Sequence, residues 1–366
     1  MSYTVVQQPD EYSLSAMVKD FIITSTANIT FEILQGTTSL LLETYTPDAS
    51  GTIKVLDLGR FFENYVSGTI DEIDHPTLMG SFTVKIDTVA LARIFKVLKC
   101  KAYSDVPAPD FVNGNVFLNL LKQIKTITRT SNEYITCKLL APVKVFVTYM
   151  VAGIPTNSDE VTLDGSASGT FRTMDVSFSV ISAMFPAIDA STIVALRIKT
   201  ANQIQVLMVD RANYLAPLNF MFKNSFDVPE TIVTRGNVTR KGETTFNTAT
   251  INRTELKYNV ERVDKFTVNS GKIFSMNDYE RYRELFNSED VRIYYLGSWR
   301  KIVISEEQSE TSIRSGNLIP VAFTFHFANV IDNRFITGES FMRWILEYGK
   351  WEDNKVWLDD GQWLDS

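Results

Sequence analysis

The sequence predicts a mainly β protein: two tandem β-sandwich domains formed by internal duplication, a β-rich α+β domain with one amphipathic helix, and an extended Trp-rich C-terminal tail. Three observations predict it. Period-two alternation recurs along the chain, in Ile29/Phe31/Ile33, Phe82/Val84/Ile86, Ile204/Val206/Met208 and Val321/Phe323/Phe325/Phe327, the pattern of half-buried strands. Turn signals at Pro47-Asp48, Ser270-Gly271 and Ser315-Gly316-Asn317 interrupt it at the short spacing of sandwiches and barrels. A ten-residue segment also occurs twice, as A-S-G-T-I-K-V-L-D-L at 49–58 and A-S-G-T-F-R-T-M-D-V at 167–176.

The repeat sets the organisation of the front half. Five of its ten positions are identical, and Ile53/Phe171, Lys54/Arg172, Leu56/Met174 and Leu58/Val176 exchange like for like. Strands at 28–45 and 143–151 precede the two copies, and short helical crossings at 60–65 and 178–185 follow them. Each copy leaves through an Ala-Pro pair, Ala108-Pro109 or Ala216-Pro217. The first sandwich is therefore placed at 1–108 and the second at 109–217. Asp57 and Asp175 are expected at matching strand ends, Gly51 and Gly169 in matching turns. The first copy carries extra residues around Gly68–Gly80, read as a solvated acidic loop.

The third domain spans 218–337. Two strands flank a turn at Asn224-Ser225, and basic, Thr-rich strands run on to Val268. Ser275 and Asp278 resemble a capping box, with Asp where Glu is usual. Tyr279, Tyr282 and Phe286 share one helical face, with charged residues on the other. Three strands close the domain, at Val291–Leu296, Trp299–Ser305 and Leu318–Asn329. The tail, 338–366, carries Trp344, Trp351, Trp357 and Trp363, the last three spaced by six, with seven acidic and three basic residues. An even spacing puts the three indoles on one face of an extended chain.

Composition excludes several function classes. The chain of 366 residues has a net charge of −7 and a pI near 5.1, which argues against nucleic-acid binding. No apolar run reaches the ~18 residues of a membrane span, and the N-terminus lacks the features of a secretory signal. A soluble protein made in a reducing cytoplasm is expected. Two cysteines, Cys100 and Cys137, and two histidines, His75 and His326, supply neither a disulfide framework nor a His-rich metal centre. The cysteines read as core hydrophobes in two strands.

Each remaining constellation has a structural reading. Asp71, Glu72, Asp74 and His75 offer hard oxygen ligands but lack the spacing and glycine of a calcium loop. Gly165-Ser166-Ala167-Ser168-Gly169 resembles a nucleophile elbow with Ala at the nucleophile position, so it reads as a turn. Arg235 to Gly242 reads as a hairpin tip kept soluble by its charge. No catalytic residue, cofactor or metal is predicted. The four tail tryptophans are the candidate partner-docking residues.

FMFKNSFDVPETIVTRGN at 220–237 and LKYNVERVDKFTVNSGKIFSMNDYERYRELFNSEDVRIYYLGSWRKIVISEE at 256–307 resemble tail- or neck-region structural proteins of phages and prophages infecting Bacteroidetes. The front half, with NVFLNLL and NEYITCKLL between the copies, is similar to that of such proteins. The resemblance implies a non-enzymatic virion component of the tail, neck or baseplate region. It would be made in the host cytoplasm, assembled as a homo-oligomeric ring, and docked on other virion proteins. The alternative is a carbohydrate- or receptor-binding sandwich protein whose tryptophans stack on glycans. A hydrolase with its site on the sandwich loops ranks third.

Overall fold

The computed structural model describes residues 3–329, apart from 115, 120–123, 215–216, 252, 274 and 309–319. The tail tryptophans Trp344, Trp351, Trp357 and Trp363 and the turn at 315–317 lie outside the described residues.

Alternating residues of the first β unit meet across two layers. Its elements are β1 (Tyr3–Gln7), β2 (Tyr12–Leu14), β3 (Phe21–Ser25), β4 (Ile29–Gln35), β5 (Thr38–Tyr45) and β6 (Thr52–Val55), then α1 (Leu58–Glu63), β7 (Met79–Ile86), β8 (Val89–Ala90) and β9 (Phe95–Leu98). A three-stranded sheet runs β1-β3-β6, and a larger one runs β2-β9-β7-β4-β5 with β8 on β7. Phe21, Ile23, Ile53 and Val55 from the small sheet meet Phe31, Phe82, Val84 and Phe95 from the large one, with Phe62 of α1 beside them, all buried. Burying such side chains stabilises by about 1.5–3 kcal/mol each.

The second unit begins with α2 (Ala108–Asn113), β10 (Lys125–Thr128), β11 (Tyr134–Lys138), β12 (Val143–Val151) and β13 (Ile154–Asn157). It continues through β14 (Val161–Asp164), β15 (Phe171–Asp175), α3 (Phe178–Ala183), β16 (Ile193–Lys199) and β17 (Ile204–Asp210). Its large sheet runs β10-β17-β16-β12-β13, with β14 also on β12, and its small sheet is β11-β15. The strand orders of the two units correspond. In each, a short first strand pairs in parallel with the last (β2 with β9, β10 with β17), and the other pairs within the large sheets are antiparallel.

Gly51 and Gly169 occupy the same left-handed conformation, at φ 76° and 72°, just before β6 and β15. The two aspartates diverge. Asp57 is the residue immediately before α1, at φ 59°, whereas Asp175 ends β15 and accepts hydrogen bonds from the Ser177 N–H (2.9 Å) and hydroxyl (2.5 Å). Another segment docks along β15. The Thr173 N–H donates to Ile73 O (2.8 Å) and the His75 N–H to Phe171 O (2.9 Å), closing a β-bridge between Asp74 and Arg172.

That segment is the acidic loop of the first unit; Asp71, Glu72 and Asp74 are exposed as read, and the reading as solvated is corrected for His75. His75 is 2% exposed and shares a 2.7 Å hydrogen bond with Thr173 Oγ1, and burial holds its imidazole below the ordinary histidine range. Asp74 pairs with Arg172 at 3.5 Å. Asp71 pairs with Arg292 of the third unit, whose Nη2 lies 2.9 Å from Oδ2, and this partner holds the Asp71 carboxyl below the usual range.

The third unit consists of β18 (Leu218–Lys223), β19 (Pro229–Thr234), β20 (Val238–Ile251), β21 (Thr254–Asn269), α4 (Met276–Asn287), β22 (Val291–Tyr295), β23 (Ser298–Gln308) and β24 (Ala322–Phe327). They form one sheet, β19-β18-β22-β23-β24-β21-β20. Ser275 and Asp278 close the capping box on α4, and Tyr279, Tyr282 and Leu285 bury its inner face against Phe220 and Phe323. The outer face is less uniformly charged than expected, because Arg281 is buried and bonded to Asp278 Oδ1 at 3.0 Å. Arg235 to Gly242 is not a hairpin tip either. Arg235 reaches Thr126 O and Asp210 of the second unit, and Arg240 lies at the root of a long ribbon.

A fourth apolar cluster joins the three units. Leu14, Leu98 and Cys100 come from the first, Leu118 and Phe171 from the second, and Phe226 and Val228 from the third, with Phe111 of α2 among them. Cys100 follows β9 and is not in a strand, whereas Cys137 lies in β11; burial pushes both thiols up to about 12. Gly68 marks a close approach of the first unit to the third. A Cβ there would lie 2.4 Å from Asp227 O and 2.9 Å from Leu78 Cδ1. Gly68→Ala is therefore expected to destabilise the protein by about 1–3 kcal/mol, read as a lowered urea midpoint with an unchanged slope.

Candidate interaction surfaces

The seam between the second and third units is ionic and closed. Lys125 Nζ donates to Glu133 Oε2 (2.6 Å), Thr231 O (2.6 Å) and Thr231 Oγ1 (3.0 Å), and Thr231 Oγ1 donates to the same Glu133 oxygen (2.6 Å). Lys125 and Glu133 are both buried. A buried pair of this kind fixes geometry more than it adds stability, and breaking one partner leaves an uncompensated charge. Two cavities of about 20 Å³ flank the pair, room for one water molecule and too little for a substrate.

Glu284 on α4 faces the same region. Burial, reinforced by the like charge of Glu230, pushes its carboxyl up to about 7, although the Ser225 hydroxyl donates to Oε1 at 2.9 Å.

Two further surfaces are open. The first is the β20–β21 ribbon. Its strands pair from Val238↔Val268 out to Ile251↔Thr254, and only Phe266–Asn269 of β21 pair with β24. At ~3.3 Å per residue the fourteen-residue β20 is about 45 Å long. A tight turn closes the tip, with Arg253 at φ 65°, and an irregularity between Thr245 and Asn247 adds local twist. Near the root, Arg240 and Arg262 both pair with Asp264.

Beyond that root the ribbon is amphipathic, and among the described residues no other strand pairs with it. The pairs Asn247↔Tyr258 and Ala249↔Leu256 place Ala249, Leu256 and Tyr258 on one face. Leu256 is 49% exposed and Tyr258 48%. Phe246 is exposed on the opposite face beneath Lys257, whose Nζ lies 4.0 Å from its ring centroid. An isolated two-stranded hairpin is marginal in water, so both faces present surface suited to a partner.

The second open surface is the mouth of the first sandwich between β5 and β6–α1, a groove of about 350 Å³. Leu41, Tyr45, Val55 and Phe61 give it an apolar lining, and Glu43 and Asp57 bring acid to it. The Tyr45 hydroxyl donates to Glu43 Oε2 at 2.7 Å, and burial together with that carboxylate pushes the phenol up to about 12. Leu42 and Leu56 stand exposed beside the groove. Among the described residues β5 pairs with β4 alone, through eight residues with one irregularity. In the second unit the corresponding edge is broken into β13 and β14. Glu160 between them pairs with Lys144 and Lys199, and Val161 and Leu163 of β14 pack on the core.

The sequence placed docking on the four tail tryptophans, which lie outside the described residues, and it missed both the ribbon and the groove. The signal for the ribbon was available: some two dozen residues of β-branched and charged character with no apolar period to bury. Among the described residues no three His, Cys, Asp or Glu side chains are grouped to hold a metal ion, and no helix is long and apolar enough to cross a membrane.

No protein-family model matches the chain, and no curated protein matches it. Among solved structures, the native conformation of Escherichia coli alpha-2-macroglobulin aligns with 73% of this chain and 21% of its own, at 9% identity and a TM-score of 0.17. So loose an alignment carries no argument about fold or function.

Glu284 gives the seam a pH dependence of defined sign. Its folded pKa lies above the ordinary value, so its neutral form favours the fold. That contribution is full below about 4.5 and is lost as pH rises through about 7. Glu284→Gln should stabilise the protein at pH 8 relative to wild type by roughly 1–2 kcal/mol, discounted for the water still reaching the carboxyl. The two proteins should converge near pH 4.5. Thermal melts across that range check it.

Proposed function

We propose that this chain is a non-enzymatic structural component of the tail, neck or baseplate region of a phage virion, and that it works by docking extended β surfaces onto other subunits. The observation that carries this reading is the β20–β21 ribbon, whose β20 edge is unpaired among the described residues and which exposes Leu256 and Tyr258 on one face and Phe246 on the other. An uncovered edge of that length is a template for pairing with another chain, which natural proteins otherwise blunt or cover. The virion context rests on the sequence resemblance at 220–237 and 256–307. Trp344, Trp351, Trp357 and Trp363 are proposed as further anchors, since large aromatics near an acidic terminus suit pockets on a partner.

We also infer that the first two units are tandem domains, 1–108 and 109–217, descended from one duplicated sandwich. The shared strand order, the two parallel pairings and the matching left-handed Gly51 and Gly169 support that reading. The third domain, 218–337, then carries the ribbon, and 338–366 forms the tail.

Thr244 and Arg262 face each other across the ribbon, so replacing 245–261 by Asn-Gly should shorten it with a standard two-residue turn. The shortened protein is expected to keep its melting temperature within a few degrees and to lose self-association in analytical ultracentrifugation. A shortened protein that assembles like wild type overturns the ribbon's role.

A further inference from the structure

We propose that the ribbon of one copy docks in the groove of the first sandwich of a second copy, joining subunits head to tail. This rests on the assembly reading above and names the partner: another copy of the same chain, engaged through β5 and the mouth beside it.

Shape and backbone chemistry agree. β20 and β5 are edge strands, each paired on one side only among the described residues. Pairing them satisfies backbone groups that water otherwise serves, the mode by which an extended segment adds to a sheet edge. Ala249, Leu256 and Tyr258 on one face of the ribbon suit the apolar lining of Leu41, Tyr45, Val55 and Phe61. A groove of about 350 Å³ is large enough for aromatic and aliphatic side chains of this kind.

Charge agrees as well. Residues 1–108 carry thirteen acidic and eight basic side chains, a net of −5, and the groove itself is lined by Glu43 and Asp57 against Arg60. The ribbon, 238–269, carries six basic and four acidic side chains, a net of +2, in a chain whose total is −7. The surplus sits at the root, where Arg240, Lys241, Arg262 and Lys265 outnumber Glu243 and Asp264, while in the outer half Arg253 and Lys257 balance Glu255 and Glu261. Opposed net charges of this kind steer encounter.

The second sandwich supplies a contrast. Its corresponding edge is interrupted at 158–160, and Glu160 is held by Lys144 and Lys199, devices that discourage strand addition. One acceptor and one donor per chain, on different domains, make a heterologous contact, which closes into a ring or propagates as a filament.

Complementation tests it. A donor-deficient chain has 245–261 replaced by Asn-Gly. An acceptor-deficient chain carries Leu42→Lys and Leu56→Lys, both at exposed positions, which set two cations against the basic ribbon. Each variant alone should sediment as a monomer with an unchanged melting temperature. An equimolar mixture should form a one-to-one dimer and nothing larger, while wild type forms higher oligomers. If the acceptor-deficient chain assembles like wild type while the donor-deficient chain does not, the ribbon docks elsewhere: this inference fails and the assembly reading stands. Two monomeric variants that stay apart on mixing overturn the inference as well. Wild type that remains monomeric at every accessible concentration overturns it together with self-assembly.

Discussion

The structure depends on one shared apolar junction. Phe111, Phe171 and Phe226 come from a linking helix, the second unit and the third, and they pack with Leu14, Leu98 and Cys100 of the first. Each β unit has its own core, so each can bury its strands unaided. What none can do alone is fix its orientation relative to the others. Apolar contact is non-directional, and it needs directional bonds beside it to choose one arrangement. The docked loop at 73–75 supplies them between the first and second units. The Asp71–Arg292 pair does so between the first and third, and Lys125–Glu133–Thr231 between the second and third.

This division of labour accounts for the placement of several ionisable groups in the interior. Lys99 and Lys101 of the first unit approach Asp227 of the third, and Arg235 of the third approaches Asp210 of the second, whereas the buried Arg281 pairs with Asp278 within α4. Buried charges must be paired, and pairs at a boundary specify geometry where apolar packing alone would leave several arrangements of similar energy.

Much of this was legible in the sequence. Strand periodicity located β4, β7, β17 and β24, because a two-residue period has one physical reading when one face is buried. The Ser275–Asp278 box located the start of α4, because local hydrogen bonds leave a local pattern. The contacts between units were not legible. Asp71 and Arg292 are 221 residues apart, and nothing in an acidic loop announces that a distant arginine will meet it. His75 and Arg281 were read as solvated or on an outer face for the same reason: their burial is created by partners from another part of the chain.

The ribbon shows the opposite limit. Its residues have strand propensity yet no buried face, so a pattern-based reading finds strands and cannot find what they are for. A ribbon of this length costs conformational entropy at every residue it orders, and among the described residues β21 pairs with β24 only from Phe266 to Asn269. Cross-strand pairs contribute only a few tenths to one kcal/mol each, which leaves the outer half near balance. An element held near that balance is well suited to assembly. Cross-strand pairing holds Leu256 and Tyr258 in fixed register, and a surface that buried them would supply the stabilisation the ribbon lacks alone.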